Sequence, residues 1–289
     1  ELPKNRSGDE VGALTDSFDH MRQAIKEYVA DLTETTRAKE RIESELKIAR
    51  TIQMSFLPKK FPPFPHRKEF EIFAALEPAK EVGGDLYDFF LLDEEHLFFS
   101  VGDVSDKGVP AALFMAVTKT LMKGIAEHHV SPSDVLARVN EELCSENDSN
   151  MFVTLVCGIL NVRTGELLYS NAGHNPPIFS KQGRAPEWLE LPPGLVLGAM
   201  EGVPYQTKRI MLNPGDSLLV HTDGVTEAMN DSKEIYSDER LLKFMHDIHG
   251  RNPEENVQQV MHSVKEYAGD TPQSDDITLL SILYKGSTG

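Results

Sequence analysis

Apolar residues recur at alternating steps of four and three from the start of the chain: Leu14, Phe18, Met21, Ile25, Tyr28 and Leu32. After the polar positions Thr35 and Lys39 the seam resumes at Ile42, Leu46 and Ala49, then reaches Gln53 and Phe56. This heptad spacing predicts one long helix. It constrains the fold more than any other feature, because a lone helix of that length leaves its seam in water. Two solutions are open: the helix lies along its own domain, or it pairs with a second copy. A parallel homodimer is the expectation, with Thr35, Lys39 and Gln53 as weak points where helix register can shift. Pro58, Pro62, Pro63 and Pro65 then end the helix and predict a stiff, extended connector.

The rest of the 289 residues is long enough for one large domain at ~150 residues each. With 46 acidic and 29 basic residues the net charge is −17, and no Lys/Arg run offsets it. That excludes nucleic acid as the expected partner. No apolar stretch is read as approaching the ~20 residues that span a bilayer, and no signal-peptide pattern opens the chain. Cys144 and Cys157 lie in apolar patterns and read as two buried free thiols of a reducing compartment. The expectation is a soluble, cytoplasmic protein.

Strands are expected at 70–76, 96–101, 152–162, 166–170, 217–221 and 278–283, with Thr164-Gly165 as a hairpin turn. Helices are expected at 110–128, 132–146, 238–248 and 253–268. Ser131 before Pro132 and Asn252 before Pro253 supply start signals. Strands in runs and helices in pairs give an α+β fold with antiparallel sheet.

The chemistry-bearing residues are acidic. Asp85 and Asp88 follow Gly83-Gly84, Asp103 closes a strand after Gly102, Asp223 closes another before Gly224, and Asp275-Asp276 open the last strand. Aspartate beside glycine is ordinary turn chemistry. Carboxylates at several strand ends can equally converge on hard cations such as Mg²⁺ or Mn²⁺. His174, in Asn-Ala-Gly-His-Asn-Pro-Pro, reads as a turn-fixing residue near the site, with proton transfer as the other option. Lys80 and Lys107 are candidates to hold phosphate or simply to be solvated.

The stretches PAKEVGGDLYDFF (78–90), VGDVSDKGVPAALFMA (101–116), MFVTLVCGIL (151–160), NAGHNPP (171–177), HTDGVTEA (221–228) and SDDIT (274–278) occur in this order. Together they resemble the bacterial SpoIIE/RsbU-type serine/threonine phosphatases of the PPM (type 2C) superfamily. The resemblance implies two stacked antiparallel sheets flanked by helix pairs, and metal-dependent phosphoester hydrolysis with two Mn²⁺ or Mg²⁺ ions per site. It implies that Asp103 bridges the ions, with the Val104 carbonyl as a further ligand, Asp85 serving one ion, and Asp223 and Asp275 the other. Asp103 and Asp223 are then the catalytic pair. Asp276 stands where many relatives have Asn, so the choice between Asp275 and Asp276 stays open; Asp88 shapes the site at most. A histidine soon after the bridging aspartate in eukaryotic relatives is replaced here by Ser105, Asp106 and Lys107, which leaves the general acid unassigned. The usual substrate of such enzymes is a phosphorylated anti-sigma-factor antagonist.

Residues 1–21 resemble the C-terminal half of a HAMP module through Asp9-Glu10-Val11-Gly12, Leu14, Phe18 and Met21. That implies the cytoplasmic part of a membrane-anchored receptor, with membrane contact only through a portion outside this chain. The expected organisation is therefore 1–21 HAMP-like, 22–57 coiled-coil linker, 58–69 Pro-rich connector, 70–285 phosphatase domain and 286–289 tail. The competing class is a catalytically silent, phosphatase-like dimeric adaptor. A kinase or nucleotide cyclase is disfavoured, because no Asn-containing ATP box or Gly-rich lid is present and Leu86-Tyr87 breaks a cyclase-like Gly-Gly-Asp signature.

Overall fold

The computed structural model describes residues 10–128, 131–145, 147–248 and 252–287. Residues 1–9, the first part of the HAMP-like segment, lie outside them, as do Glu146, His129 and His249. Helix α1 (Glu10–Phe56) is unbroken over 47 residues. The chain divides into two compact units, Glu1–Ala49 and Arg50–Gly289.

Within the first unit the seam residues Leu14, Phe18, Met21, Ile25, Tyr28, Leu32 and Ile42 are all exposed. Pairs at i,i+4 line the polar faces, including Gln23–Glu27, Lys39–Glu43 and Arg41–Glu45. Each contributes only ~0.3–0.5 kcal/mol, too little to offset a wet apolar seam.

In the second unit Leu57 is buried, and Phe61 and Phe64 after it lie against the sandwich. The Phe61 ring is 4.5 Å from that of Phe73. The proline-rich connector is thus not a free spacer; its aromatic residues gain more by burial than by solvation.

Strand β1 (Phe70–Glu77) is followed by β2 (Leu86–Leu91), β3 (His96–Val104), helices α2 (Val109–Ala126) and α3 (Pro132–Ser145), β4 (Val153–Asn161) and β5 (Glu166–Ala172). Then come β6 (Ile178–Ser180), β7 (Glu187–Trp188), β8 (Lys208–Met211), β9 (Ser217–His221), the single turn α4 (Asp223–Thr226), α5 (Asp238–Ile248), α6 (Pro253–Ala268) and β10 (Ile277–Tyr284). One sheet runs β1-β10-β9-β6-β7 and the other β2-β3-β4-β5-β8, each antiparallel throughout. The architecture is the expected α+β sandwich.

Alternation along the strands assigns the layers. Leu97, Phe99 and Val101 of β3 join Leu218, Val220, Leu280 and Ile282 between the sheets. Phe98 and Leu155 face out into a second core with α2 and α3. Leu219, Ile277 and Leu279 do the same beneath α5 and α6. Both faces of each sheet are buried, which is why strands such as β4 read as continuous apolar runs.

The Thr164-Gly165 turn forms as expected, with Gly165 at φ 80° and the Asn161 side chain accepting from the Arg163 and Thr164 amides. Asn252 caps α6 by accepting from the Glu255 amide. Helix α2 departs from expectation: its 18 residues have a mean hydropathy of 1.3, enough in length and apolarity to cross a bilayer. Its Ala111, Met115, Met122 and Ala126 are buried in the second core instead. Of the two free thiols, Cys157 is buried in β4 but Cys144 is only half-buried.

Candidate active site

Each sheet brings two carboxylates to one edge of the sandwich. Asp103 sits near the end of β3 and Asp85 just before β2; Asp223 follows β9 and Asp275 precedes β10. Asp85 is buried, and its Oδ2 accepts from the hydroxyls of Thr222 (2.8 Å) and Thr278 (2.5 Å). Asp85 and Asp103 stand within hydrogen-bonding reach of each other. The Lys107 ammonium donates to Asp275 Oδ2 at 2.7 Å and to the Ser274 carbonyl at 2.6 Å. The Val104 carbonyl faces the same loop: a Cβ on Gly84 would lie 2.9 Å from it.

The crowding is visible in the electrostatics. Burial, then the Asp103 and Asp276 charges, push the Asp85 carboxyl well above the usual range against the two threonine hydrogen bonds. Burial, followed by the charges of Asp223 and Asp275, pushes Asp103 up to about 7. Asp223 is raised by burial, then by Asp275 and Glu227. Burial alone would lower the Lys107 ammonium, but its hydrogen bond and ion pair with Asp275 prevail and raise it.

Among the described residues no group of three or more His, Cys, Asp or Glu side chains is arranged to hold a metal ion. The threonines engage one oxygen of Asp85, and Lys107 engages Asp275. The donor set nevertheless suits Mg²⁺ or Mn²⁺. It is all oxygen, it has several carboxylates, and a bound cation would relieve the mutual repulsion that raises Asp85 and Asp103.

Residues 93–285 match the family described as Stage II sporulation protein E (SpoIIE). The chain belongs to the SpoIIE family. It is 30% identical to the phosphoserine phosphatase RsbU of Bacillus subtilis, over 84% of this chain and 71% of RsbU. It is also 30% identical to protein IcfG of Synechocystis sp., over 95% of this chain but only 46% of that protein. The fold is shared with the SiaA-PP2C domain of Pseudomonas aeruginosa, at a TM-score of 0.76 and 21% identity over 86% of this chain and 99% of that one. The domain is thus of the SpoIIE/RsbU type in sequence and shares the fold of a PP2C domain.

In this SpoIIE-family domain the two adjacent aspartates do different work. Asp276 Oδ1 accepts from the Ala79 amide (2.8 Å) and Oδ2 from the Gly84 amide (2.7 Å). It anchors the loop that carries Asp85, while Asp275 faces Lys107 and the charges of Asp103 and Asp223. Gly83 and Gly224 make room for it: a Cβ on either would lie 1.9 Å from an Asp276 oxygen. Asp276→Ala would orphan buried loop amides and is expected to cost ~3 kcal/mol in urea unfolding. Asp275→Ala should cost less than half as much, because it also relieves repulsion.

Of the remaining sequence candidates, Asp88 and Lys80 make no hydrogen bond or ion pair with these carboxylates among the described residues, whereas His174 lies behind the site. Asp88 lies within β2 and forms a buried ion pair with Lys119 of α2 at 2.5 Å, tying helix to sheet. Lys80 is exposed, with no ion-pair partner among the described residues. Three further residues support the site in ways that local sequence does not reveal. Gln53, in the last turns of α1, is buried; its amide donates to the Gly83 carbonyl at 2.5 Å and accepts from the Gly83 amide at 3.2 Å. Thr222 and Thr278 stand inside the HTDG and SDDIT stretches, where their motif membership was the only available clue.

Proposed function

We propose that the chain is a metal-dependent phosphatase that hydrolyses phosphoserine or phosphothreonine on a partner protein in a bacterial signalling pathway. The observation that carries this reading is the convergence of Asp85, Asp103, Asp223 and Asp275 from two sheets onto one edge. Asp103 would bridge two Mn²⁺ or Mg²⁺ ions, with Asp85, the Val104 carbonyl, Asp223 and Asp275 completing their protein ligands. Bound ions of this kind lower the pKa of a water and neutralise phosphoryl charge. Thr222 and Thr278 orient Asp85, and Asp276 holds its loop in place. Lys107, at the rim, provides a cation within reach of a phosphate on a protein whose net charge is −17.

The substrate class we favour is a phosphorylated anti-sigma-factor antagonist in a partner-switching circuit. The phosphoserine phosphatases RsbU and RsbP among its relatives support this. The exposed α1 seam supports a homodimer, and the HAMP-like start of the chain supports a place in the cytoplasmic part of a membrane-anchored receptor. Gln53 supports a route from α1 to the metal site: a shift in helix register would pull on Gly83, two residues before Asp85.

The test is phosphate release from a phosphoserine protein with Mn²⁺ and with chelator. Release that requires Mn²⁺ is expected. Silence with Mn²⁺, both in the full chain and after removal of residues 1–49, would favour the adaptor. Mn²⁺ affinity should differ between those two forms; equal affinities would remove the route through Gln53.

A further inference from the structure

His174 lies in the loop after β5, is 6% exposed, and has both ring nitrogens engaged. Nε2 is 3.1 Å from the carbonyl of His221, the last residue of β9 and two before Asp223. Nδ1 is 2.9 Å from the Thr154 hydroxyl, and Thr154 is the cross-strand partner of Asp103. The His174 amide donates to Asn171 Oδ1 at 2.9 Å, which fixes the ring's origin. The ring therefore spans the gap between the two sheets, touching one residue beside each of two carboxylates that belong to different sheets.

The hydrogen-bond inventory determines its tautomer. A carbonyl oxygen only accepts, so Nε2 must carry the proton donated to His221. In a neutral ring Nδ1 is then an acceptor, and the Thr154 hydroxyl must donate to it. Burial, with the nearby His221 second, lowers the ring's pKa to about 3, in keeping with a ring that stays neutral. Its single proton is committed to a backbone carbonyl, which leaves none to pass to a leaving group.

We infer that His174 is a positioning residue: a neutral strut between the sheets that sets the separation of the Asp103 and Asp223 carboxylates and, through it, metal affinity. The metal part of this inference rests on the proposed phosphatase reading; the strut itself does not. Groups hydrogen-bonded directly to metal ligands are worth about 10–100-fold in metal affinity; His174 acts one residue further out, through Thr154 and His221, and is expected at the lower end of that range.

The experiment uses the full chain as wild type, His174→Ala, His174→Gln and Thr154→Val. Calorimetric Mn²⁺ titration should show His174→Ala weakened at least ~10-fold, and His174→Gln within ~3-fold of wild type because its amide still donates to His221. Thr154→Val, which preserves the strand and removes only the hydroxyl, should fall between them and guards against misfolding of the alanine variant. At saturating Mn²⁺ all three should recover near-wild-type kcat with an unshifted pH profile. Crystals of wild type and variant grown with chelator read the strut without metal: the Asp103–Asp223 carboxylate separation should change by more than ~0.5 Å in His174→Ala.

Unchanged Mn²⁺ affinity and unchanged separation would overturn the inference. So would a loss of kcat in His174→Gln at saturating Mn²⁺ with a missing limb in the pH profile, the mark of a proton donor. If wild type binds no Mn²⁺, the metal reading fails and the carboxylate separation alone decides the strut.

Discussion

Asp103→Asn is expected to lower Mn²⁺-dependent phosphate release by at least ~10³-fold, equivalent to about 4 kcal/mol of transition-state stabilisation. The substitution keeps shape and volume and removes one negative charge where Asp85, Asp223 and Asp275 all press on the same space. An amide oxygen is a poorer ligand than a carboxylate and cannot bridge two cations as well. The loss should therefore appear as weakened Mn²⁺ binding together with a fall in kcat that added Mn²⁺ only partly restores. Calorimetry and steady-state kinetics on the same preparations separate the two. A variant that keeps both wild-type Mn²⁺ affinity and wild-type kcat at saturating Mn²⁺ would remove Asp103 from the mechanism altogether.

The same variant should be more stable than wild type in chelator, and increasingly so as pH rises. Asp103 is raised to about 7 in the folded state against 3.8 for an ordinary aspartate. Between those values the folded protein holds a proton that the unfolded chain releases. Stability linked to this group is thus present at low pH and lost as pH rises through about 7. Asp85 and Asp223 are also raised and act with the same sign. His174 and His221 are lowered by burial and act oppositely, gaining stability with pH up to the ordinary histidine value of 6.5. Subtracting the variant's Tm from that of wild type cancels the histidines, which both proteins share.

The expected difference is small near pH 4 and reaches roughly 5 °C, or about 2 kcal/mol, above pH 7.5. Saturating Mn²⁺ should reverse it, because a ligand at 100 times its Kd stabilises wild type by about 2.7 kcal/mol and binds the variant poorly. Thermal melts at four pH values with chelator and with Mn²⁺ suffice. A pH-independent difference would mean that the four carboxylates do not repel one another as the geometry implies.

Much of the scaffold was written locally. The hairpin turn needs Asn161 and Gly165 only four residues apart, and the α6 cap needs Asn252 and Glu255 three apart. The long helix needs only a seam, and the aspartates at strand ends need only their own strands. Periodicity and turn chemistry act over a few residues, so such features are readable from order alone. Strand β2 was missed because its run Leu86–Leu91 directly follows the Gly83-Gly84-Asp85 turn and carries Asp88, a charge whose burial is made tolerable by Lys119, 31 residues away.

What order could not settle was the division of labour among neighbours. Asp275 and Asp276 are chemically identical and adjacent, but successive residues at a strand's start point different ways. One meets Lys107 and the other meets backbone amides 192 and 197 residues distant. Thr222 and Thr278 reach Asp85 across 137 and 193 residues, and His174 reaches His221 across 47. The chain supplied donors and acceptors of the right kinds; only the stacking of the two sheets decided which of them meet, because that depends on register and layer rather than on any local spacing.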